Sequence, residues 1–268
     1  MNQIKCIVLD IDFTLTKSDG SISDYTKSII KKAKEKGIYV ILCSGRPNIY
    51  SVEKSKISNA SPIVISDNGA IIYNYELDKI IFADSIPKDI LKSIWNLSLK
   101  YNLDCVLNSI KTRYRHKMFS NSEYIKTNSN INGLDEIKDI VSQCVISSKE
   151  YNPMIMLKNE IDTNSSIEIT NTNLHTEKEG DYYFIDINKK GISKGKTIIK
   201  LIKGLNIQLD EVICFGDSMN DKTMFDVLSN TVAMKNASED LKKIAKYTTE
   251  YTNDEDGVAK FIEKYILN

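Results

Sequence analysis

Ile4-Lys5-Cys6-Ile7-Val8-Leu9-Asp10-Ile11-Asp12-Phe13-Thr14 is a short apolar run that ends in acid. An unbroken apolar run of this length reads as a strand covered on both faces, the habit of a parallel sheet. The arrangement then repeats. Ser23-Asp24 caps a helix-like stretch that ends at Gly37, just after a Lys-rich last turn. A second apolar strand over 39–43 runs into Ser44-Gly45-Arg46-Pro47 and another helix-like stretch, and a third, Ile63-Val64-Ile65, runs into Asp67-Asn68-Gly69. Strand–helix–strand–helix–strand order implies a parallel sheet with crossover helices.

The rhythm changes after that. Residues 71–73 and 80–82 flank a polar turn and read as a hairpin. From about 87 to 186 the pattern predicts a helix over 88–101, strands near 105–108 and 112–119, and a weaker helix near 135–141. Further strands are expected near 154–157, 166–170 and 182–187, with Asn/Thr/Ser-rich loops between them. After Gly191 the alternation returns, with helices over 193–205, 219–228, 237–246 and 257–267 and strands over 211–215 and 231–234. The expected fold is α/β: a doubly wound parallel-sheet, Rossmann-like core from 1–84 and 188–268, with an α+β cap domain inserted over 85–187.

In an open parallel sheet, ligands sit beyond the carboxyl ends of the strands. Here those ends carry Asp10-Ile11-Asp12, Ser44-Gly45-Arg46, Asp67-Asn68-Gly69 and Gly216-Asp217-Ser218-Met219-Asn220-Asp221, and Ser193-Lys194-Gly195 opens the helix after the insert. Asp10 and Asp12 lie two apart, a spacing that can turn both side chains to one face. With Asp217 they form three carboxylates that would repel unless a cation joins them, and an all-oxygen set suits Mg²⁺. Such an ion keeps room for a substrate phosphate. Asp10 is then the candidate nucleophile that forms an acyl phosphate. Asp12 is the acid that protonates the leaving alkoxide and the base that activates water. Lys194, Ser44 and the adjoining Gly45 form the candidate phosphate-binding set with Asn220. Asn220 and Asp221, on the same helix start as Asp217, can contact phosphate or hold the metal ligands in place.

These motifs resemble the haloacid dehalogenase (HAD) superfamily, and within it the Cof-like sugar-phosphate phosphatases. Asp10-x-Asp12-x-Thr14 matches the first motif of that superfamily, Ser44 the second, Lys194 the third, and Gly216-Asp217-x-x-Asn220-Asp221 the fourth. Asp67-Asn68-Gly69-Ala70, 191–195, 232–237 and 256–259 fit the Cof-like pattern as well, whereas the inserted block matches in position and size only. The resemblance implies Mg²⁺ bound by Asp10, Asp217 and the backbone carbonyl of Asp12, a phosphate cradle of Ser44, Lys194 and Asn220, and hydrolysis of a small phosphomonoester through phospho-Asp10. Phe13 departs from it, standing where the family most often has Gly, and its bulk bears on substrate size. A phosphomutase of the same superfamily and a non-enzymatic phospho-acceptor are the rival readings.

Other signals narrow the field. Lys+Arg and Asp+Glu both total 36 in 268 residues, so no net field draws nucleic acid or an anionic membrane. No run approaches the roughly 20 apolar residues of a spanning helix, and no signal-like segment opens the chain, so a soluble, cytoplasmic protein is expected. Its partner would be a small phosphorylated metabolite, and its state a monomer or weak homodimer. Five cysteines without a Cys-x-x-Cys pair speak against zinc or a disulfide frame. Gly191-x-x-x-Gly195-Lys196-Thr197 is one residue too short for a nucleotide phosphate loop. Lys111, Arg113, Arg115 and Lys117 alternate along one expected strand, as a solvated edge or as a substrate-facing strip. His116 and His175 read as surface or loop residues, Trp95 as packing, and Arg46 as a partner of either phosphate or a core carboxylate.

Overall fold

A computed structural model describes residues 3–122, 125–163, 166–174 and 181–268. His175 lies outside them. The chain divides into two compact units, one of 1–46, 50–82 and 193–268 and the other of 47–49 and 83–192.

The first unit begins with β1 (Cys6–Leu9), α1 (Asp24–Glu35), β2 (Tyr39–Cys43), α2 (Asn48–Ser58), β3 (Ile63–Ser66), β4 (Ile71–Asn74) and β5 (Lys79–Ala83). Ser23 starts α1 by accepting a hydrogen bond from the Thr26 amide, and Ile29, Ile30 and Ala33 form its buried stripe.

The second unit holds α3 (Lys88–Lys100), β6 (Asp104–Asn108), β7 (Arg113–His116), β8 (Ser129–Ile131), β9 (Gln143–Ser148), α4 (Tyr151–Ile161), β10 (Ile167–Thr172) and β11 (Tyr183–Lys189). Its six strands run in the order β10-β11-β9-β6-β7-β8, antiparallel except for the β7–β8 pair. Ile94, Trp95, Leu107, Ile146, Leu157 and Ile185 lie in its buried apolar core.

Three expectations for this unit need correction. Residues 154–157 are helical. Met154, Leu157 and Ile161 recur at helical spacing and are buried, while Pro153 sits in the first turn of α4, where its missing N–H costs nothing. The helix expected at 135–141 shrinks to a single 3₁₀ turn at Leu134–Glu136. The Glu136 carboxylate accepts from the Asn132 amide, and Ile137 is already extended. Finally, the basic strip does not lie on an edge strand, and of its four residues only Arg113 and Arg115 are on β7. β8 covers that side of β7, and Arg115 is buried. Its guanidinium pairs with Asp104 at 3.0 Å and donates to the carbonyls of Ser122 and Ile125. Arg113 donates to Asn108 and to the Lys126 carbonyl. His116 accepts from the Met118 amide, and its ring meets Trp95 edge-on.

The chain returns to the first unit through α5 (Lys194–Gly204), β12 (Val212–Gly216), α6 (Lys222–Phe225), β13 (Asn230–Ala233), α7 (Glu239–Ile244), β14 (Tyr247–Thr248) and α8 (Gly257–Ile262). The eight strands of this unit run β14-β13-β12-β1-β2-β3-β4-β5. β14 through β3 are parallel and β4 turns antiparallel on β3. The strands near the middle are the apolar runs of the sequence and are almost wholly buried. All five cysteines are free and buried. Among the described residues no helix is long and apolar enough to cross a membrane.

Candidate active site

From β1 the chain proceeds to β2 and β3 on one side. It comes back to the other side of β1 through β12 and β13. Strand order therefore reverses at the β1–β12 pair, and at such a reversal an open α/β sheet leaves a crevice beyond its carboxyl ends. Asp10 is the first residue past β1, and Asp217 the first past β12. The Asp10 amide donates to the Phe215 carbonyl at 3.1 Å, which fixes the one strand end against the other.

Beyond Asp10 the backbone makes one wide turn, Ile11–Leu15, closed by the Thr16 amide and hydroxyl on the Ile11 carbonyl. Inside it Asp12 is extended and Phe13 is left-handed, with φ of 56°. Glycine favours that region, which accounts for the family's usual residue at this position, and Phe13 adopts it against that preference. A non-glycine residue there costs about 1–2 kcal/mol, and the Phe13 side chain is 51% exposed, so it recovers little by packing. Glycine's extra backbone freedom takes back about 0.5–1 kcal/mol. Phe13→Gly is therefore expected to raise stability by up to about 1 kcal/mol, read as a higher denaturant midpoint at unchanged slope.

The charges converge behind this turn. Lys194, the first residue of α5, is buried with its ammonium 2.7 Å from Asp10 Oδ1 and 2.6 Å from Asp221 Oδ1. Gly195 lets the start of α5 lie against Thr223: a Cβ there would lie 1.9 Å from the Thr223 carbonyl oxygen. Asp217 Oδ1 accepts from the Thr14 hydroxyl at 3.3 Å. Single oxygens of Asp10, Asp217 and Asp221 lie within 4.8 Å of one another. Burial opposes the Lys194 ammonium, but Asp10 and Asp221 outweigh it and hold its pKa above the ordinary value. The carboxylates are short of positive charge. Burial, then Asp221, pushes Asp10 well above the usual range and Asp217 up to about 7.

Three carboxylates facing one ammonium suit a divalent cation, and their oxygens are close enough for one ion to draw together. The members are not equivalent. Asp221 spends Oδ1 on Lys194 and Oδ2 on the amides of Asp217 and Ser218. Asp10 and Asp217 are thus the better placed to hold a metal, and Asp221 orients Lys194 and the loop after β12.

Of the expected Asp10, Asp12 and Asp217, the structure brings the side chains of Asp10 and Asp217 together. The third carboxylate of the cluster is Asp221. The wide turn directs the Asp12 side chain elsewhere, to Arg46 Nε at 2.7 Å. Asn220 and Asp221 do not share a face either: Met219–Asp221 is a 3₁₀ turn that leaves Asn220 exposed, accepting from the Ser218 hydroxyl, and buries Asp221. Ser44 is buried at the end of β2, where its hydroxyl oxygen accepts from the Arg46 amide. Gly45 packs against Asn68, whose Oδ1 would lie 2.7 Å from a Cβ at that position.

A family model described as haloacid dehalogenase-like hydrolase matches residues 7–262. The chain belongs to the haloacid dehalogenase-like hydrolases. It is a Cof-like phosphatase of that family. Two relatives in Bacillus subtilis (strain 168) are each named 5-amino-6-(5-phospho-D-ribitylamino)uracil phosphatase. YitU is 30% identical, over 97% of this chain and 96% of its own length, and YcsE is 28% identical, over 98% and 96%. A solved haloacid dehalogenase-like hydrolase from Bacteroides thetaiotaomicron is 27% identical, with a TM-score of 0.85 over 98% of this chain and 99% of that one.

The hydrolase also uses residues that no strand-end reading selects. Asn236 Nδ2 donates to the Phe13 carbonyl at 2.8 Å, and its Oδ1 accepts from the Asn253 amide at 3.0 Å. Asn253 Nδ2 donates to the Thr16 carbonyl at 3.0 Å. These two amides tie down the turn that carries Asp12. For Asn236 the sequence held a signal, since it lies in the late 232–237 motif. Asn253 left none.

Proposed function

We propose that this phosphatase hydrolyses a small primary phosphomonoester of a sugar or sugar alcohol through phospho-Asp10, with Mg²⁺ held by Asp10, Asp217 and the Asp12 carbonyl. The Lys194–Asp10–Asp221–Asp217 cluster at the strand reversal carries this reading. An Asp10 carboxylate oxygen attacks phosphorus, the ester P–O bond breaks, and Asp12 gives its proton to the departing alkoxide. Asp12, now a carboxylate, takes a proton from water. The water oxygen attacks phosphorus, and phosphate leaves Asp10 free. Lys194 and the Ser44 hydroxyl neutralise and hydrogen-bond the phosphoryl oxygens, with Gly45 and Asn220 completing the cradle and Asp221 keeping Lys194 aimed. A bound Mg²⁺ would supply further charge neutralisation on the phosphoryl group.

Relatives whose names specify a phosphorylated ribityl chain, a primary alkyl phosphate on a polyol, support this substrate class.

The test is phosphate release from a panel of sugar, polyol and aryl phosphates by chelator-stripped enzyme. Activity should fall by more than about 100-fold without a divalent ion, return with Mg²⁺, and return poorly with the larger Ca²⁺. Full turnover in chelator would refute the metal assignment. An isomeric sugar phosphate appearing without inorganic phosphate would refute hydrolysis.

A further inference from the structure

The two oxygens of Asp12 are taken by two separate donors. Arg46 Nε donates to Oδ2 at 2.7 Å and the Tyr50 hydroxyl donates to Oδ1 at 3.2 Å. Arg46 follows β2, and Tyr50 lies in the first turn of α2. No motif in the sequence singles out Tyr50.

The phenol ring is itself held. The Arg46 guanidinium carbon lies 5.7 Å from its centroid and the Lys54 ammonium 5.3 Å, both within cation–π range. Lys54 is anchored in turn on the Gly20 carbonyl at 2.7 Å. The Tyr50 hydroxyl is the donor in this bond, because a carboxylate can only accept.

A carboxyl group held by one donor can rotate about its Cβ–Cγ bond. A donor on each oxygen fixes its plane. Proton transfer to a leaving group needs the acidic oxygen within hydrogen-bond reach of the ester oxygen, so a fixed plane matters to that step above all. We propose that Tyr50 is a positioning residue that, with Arg46, sets the carboxyl plane of Asp12 for delivery of its proton to the leaving-group oxygen. This rests on the reading of Asp12 as the acid of the phospho-Asp10 mechanism. In the step concerned, the Asp12 O–H bond breaks and the alcohol O–H bond forms. At phosphorus, the ester P–O bond breaks as the bond to Asp10 forms.

The experiment compares kcat/KM, which reports the steps through leaving-group departure, for a polyol phosphate and for 4-nitrophenyl phosphate. The alkoxide needs a proton to leave, whereas nitrophenolate does not. Asp12→Asn provides the reference and should lose about 100-fold or more on the polyol phosphate, with a much smaller loss on the aryl ester. Tyr50→Phe should show the same bias on a smaller scale, with about a 10-fold loss on the polyol phosphate and at least a several-fold smaller loss on the aryl ester. A merely structural role would lower both substrates alike. Equal losses in Tyr50→Phe, or none, would overturn the positioning role while the Asp12→Asn bias stands. If Asp12→Asn itself shows no bias, the acid role of Asp12 fails, and the positioning role fails with it.

Discussion

Asp10→Asn is expected to remove turnover by more than about 10³-fold while the protein still folds, because an amide cannot serve as the nucleophile that forms an acyl phosphate. The stability change should be small for a definite reason. Asp10 is buried beside Asp221 and Asp217, which raise its pKa, and it accepts from Lys194, which lowers it. The amide deletes a repulsive charge and weakens one ion pair together, and Lys194 keeps Asp221 as a partner at 2.6 Å. Phosphate release measured alongside a thermal unfolding curve separates the two effects. Turnover within 10-fold of the wild type would exclude Asp10 as nucleophile. Loss of both activity and folded protein would place Asp10 among the structural residues instead.

The parts of this site that the sequence disclosed are those written in strand physics. A strand buried on both faces must be apolar throughout, so the polar residues that end it stand out. Asp10, Ser44 and Asp217 could each be placed for that reason. Lys194 followed from the helix start after the insert. What escaped was decided by turns only a few residues long. Two-residue spacing suggested that Asp10 and Asp12 share a face, but Asp10 is the last extended residue before the turn that opens at Ile11, so the strand period does not carry through to Asp12. A 3₁₀ turn, in place of an α-helical one, buries Asp221 and exposes Asn220. Asn253, which reaches Thr16 across more than two hundred residues, left no local pattern to read, and the motif that marks Asn236 did not disclose its contact with Phe13. In the second unit the helical period of Met154, Leu157 and Ile161 was present in the sequence and outweighs the β-like look of a four-residue apolar window. Alternation around β7 holds only for Arg113 and Arg115 and gave no account of Asp104, the buried acid on the neighbouring strand that Arg115 pairs with.

The second large effect belongs to Lys194→Met. Methionine nearly matches the lysine stem in length and volume, so the change removes charge rather than packing. It leaves Asp10 and Asp221 buried with no ammonium between them. Removing one member of a buried ion pair costs about 3–5 kcal/mol, because the partner is left desolvated and uncompensated. Here two partners are stranded, and the upper part of that range is expected in chelator. Activity should be lost as well, since no other side chain brings a cation to Asp10 in the described contacts. A divalent cation then discriminates between explanations. If Asp10 and Asp217 hold the ion, added Mg²⁺ restores positive charge to the carboxylate cluster and stabilises the folded state by mass action. The gap in unfolding free energy between variant and wild type should narrow as Mg²⁺ is raised, while turnover stays low because the phosphoryl oxygens still lack the lysine. A gap that ignores Mg²⁺ would mean that the destabilisation comes from repacking around the introduced thioether and that the ion, if it binds, lies away from these acids. A variant as stable as the wild type in chelator would show that Asp10 and Asp221 relieve each other by sharing a proton, leaving Lys194 a role in phosphate binding alone.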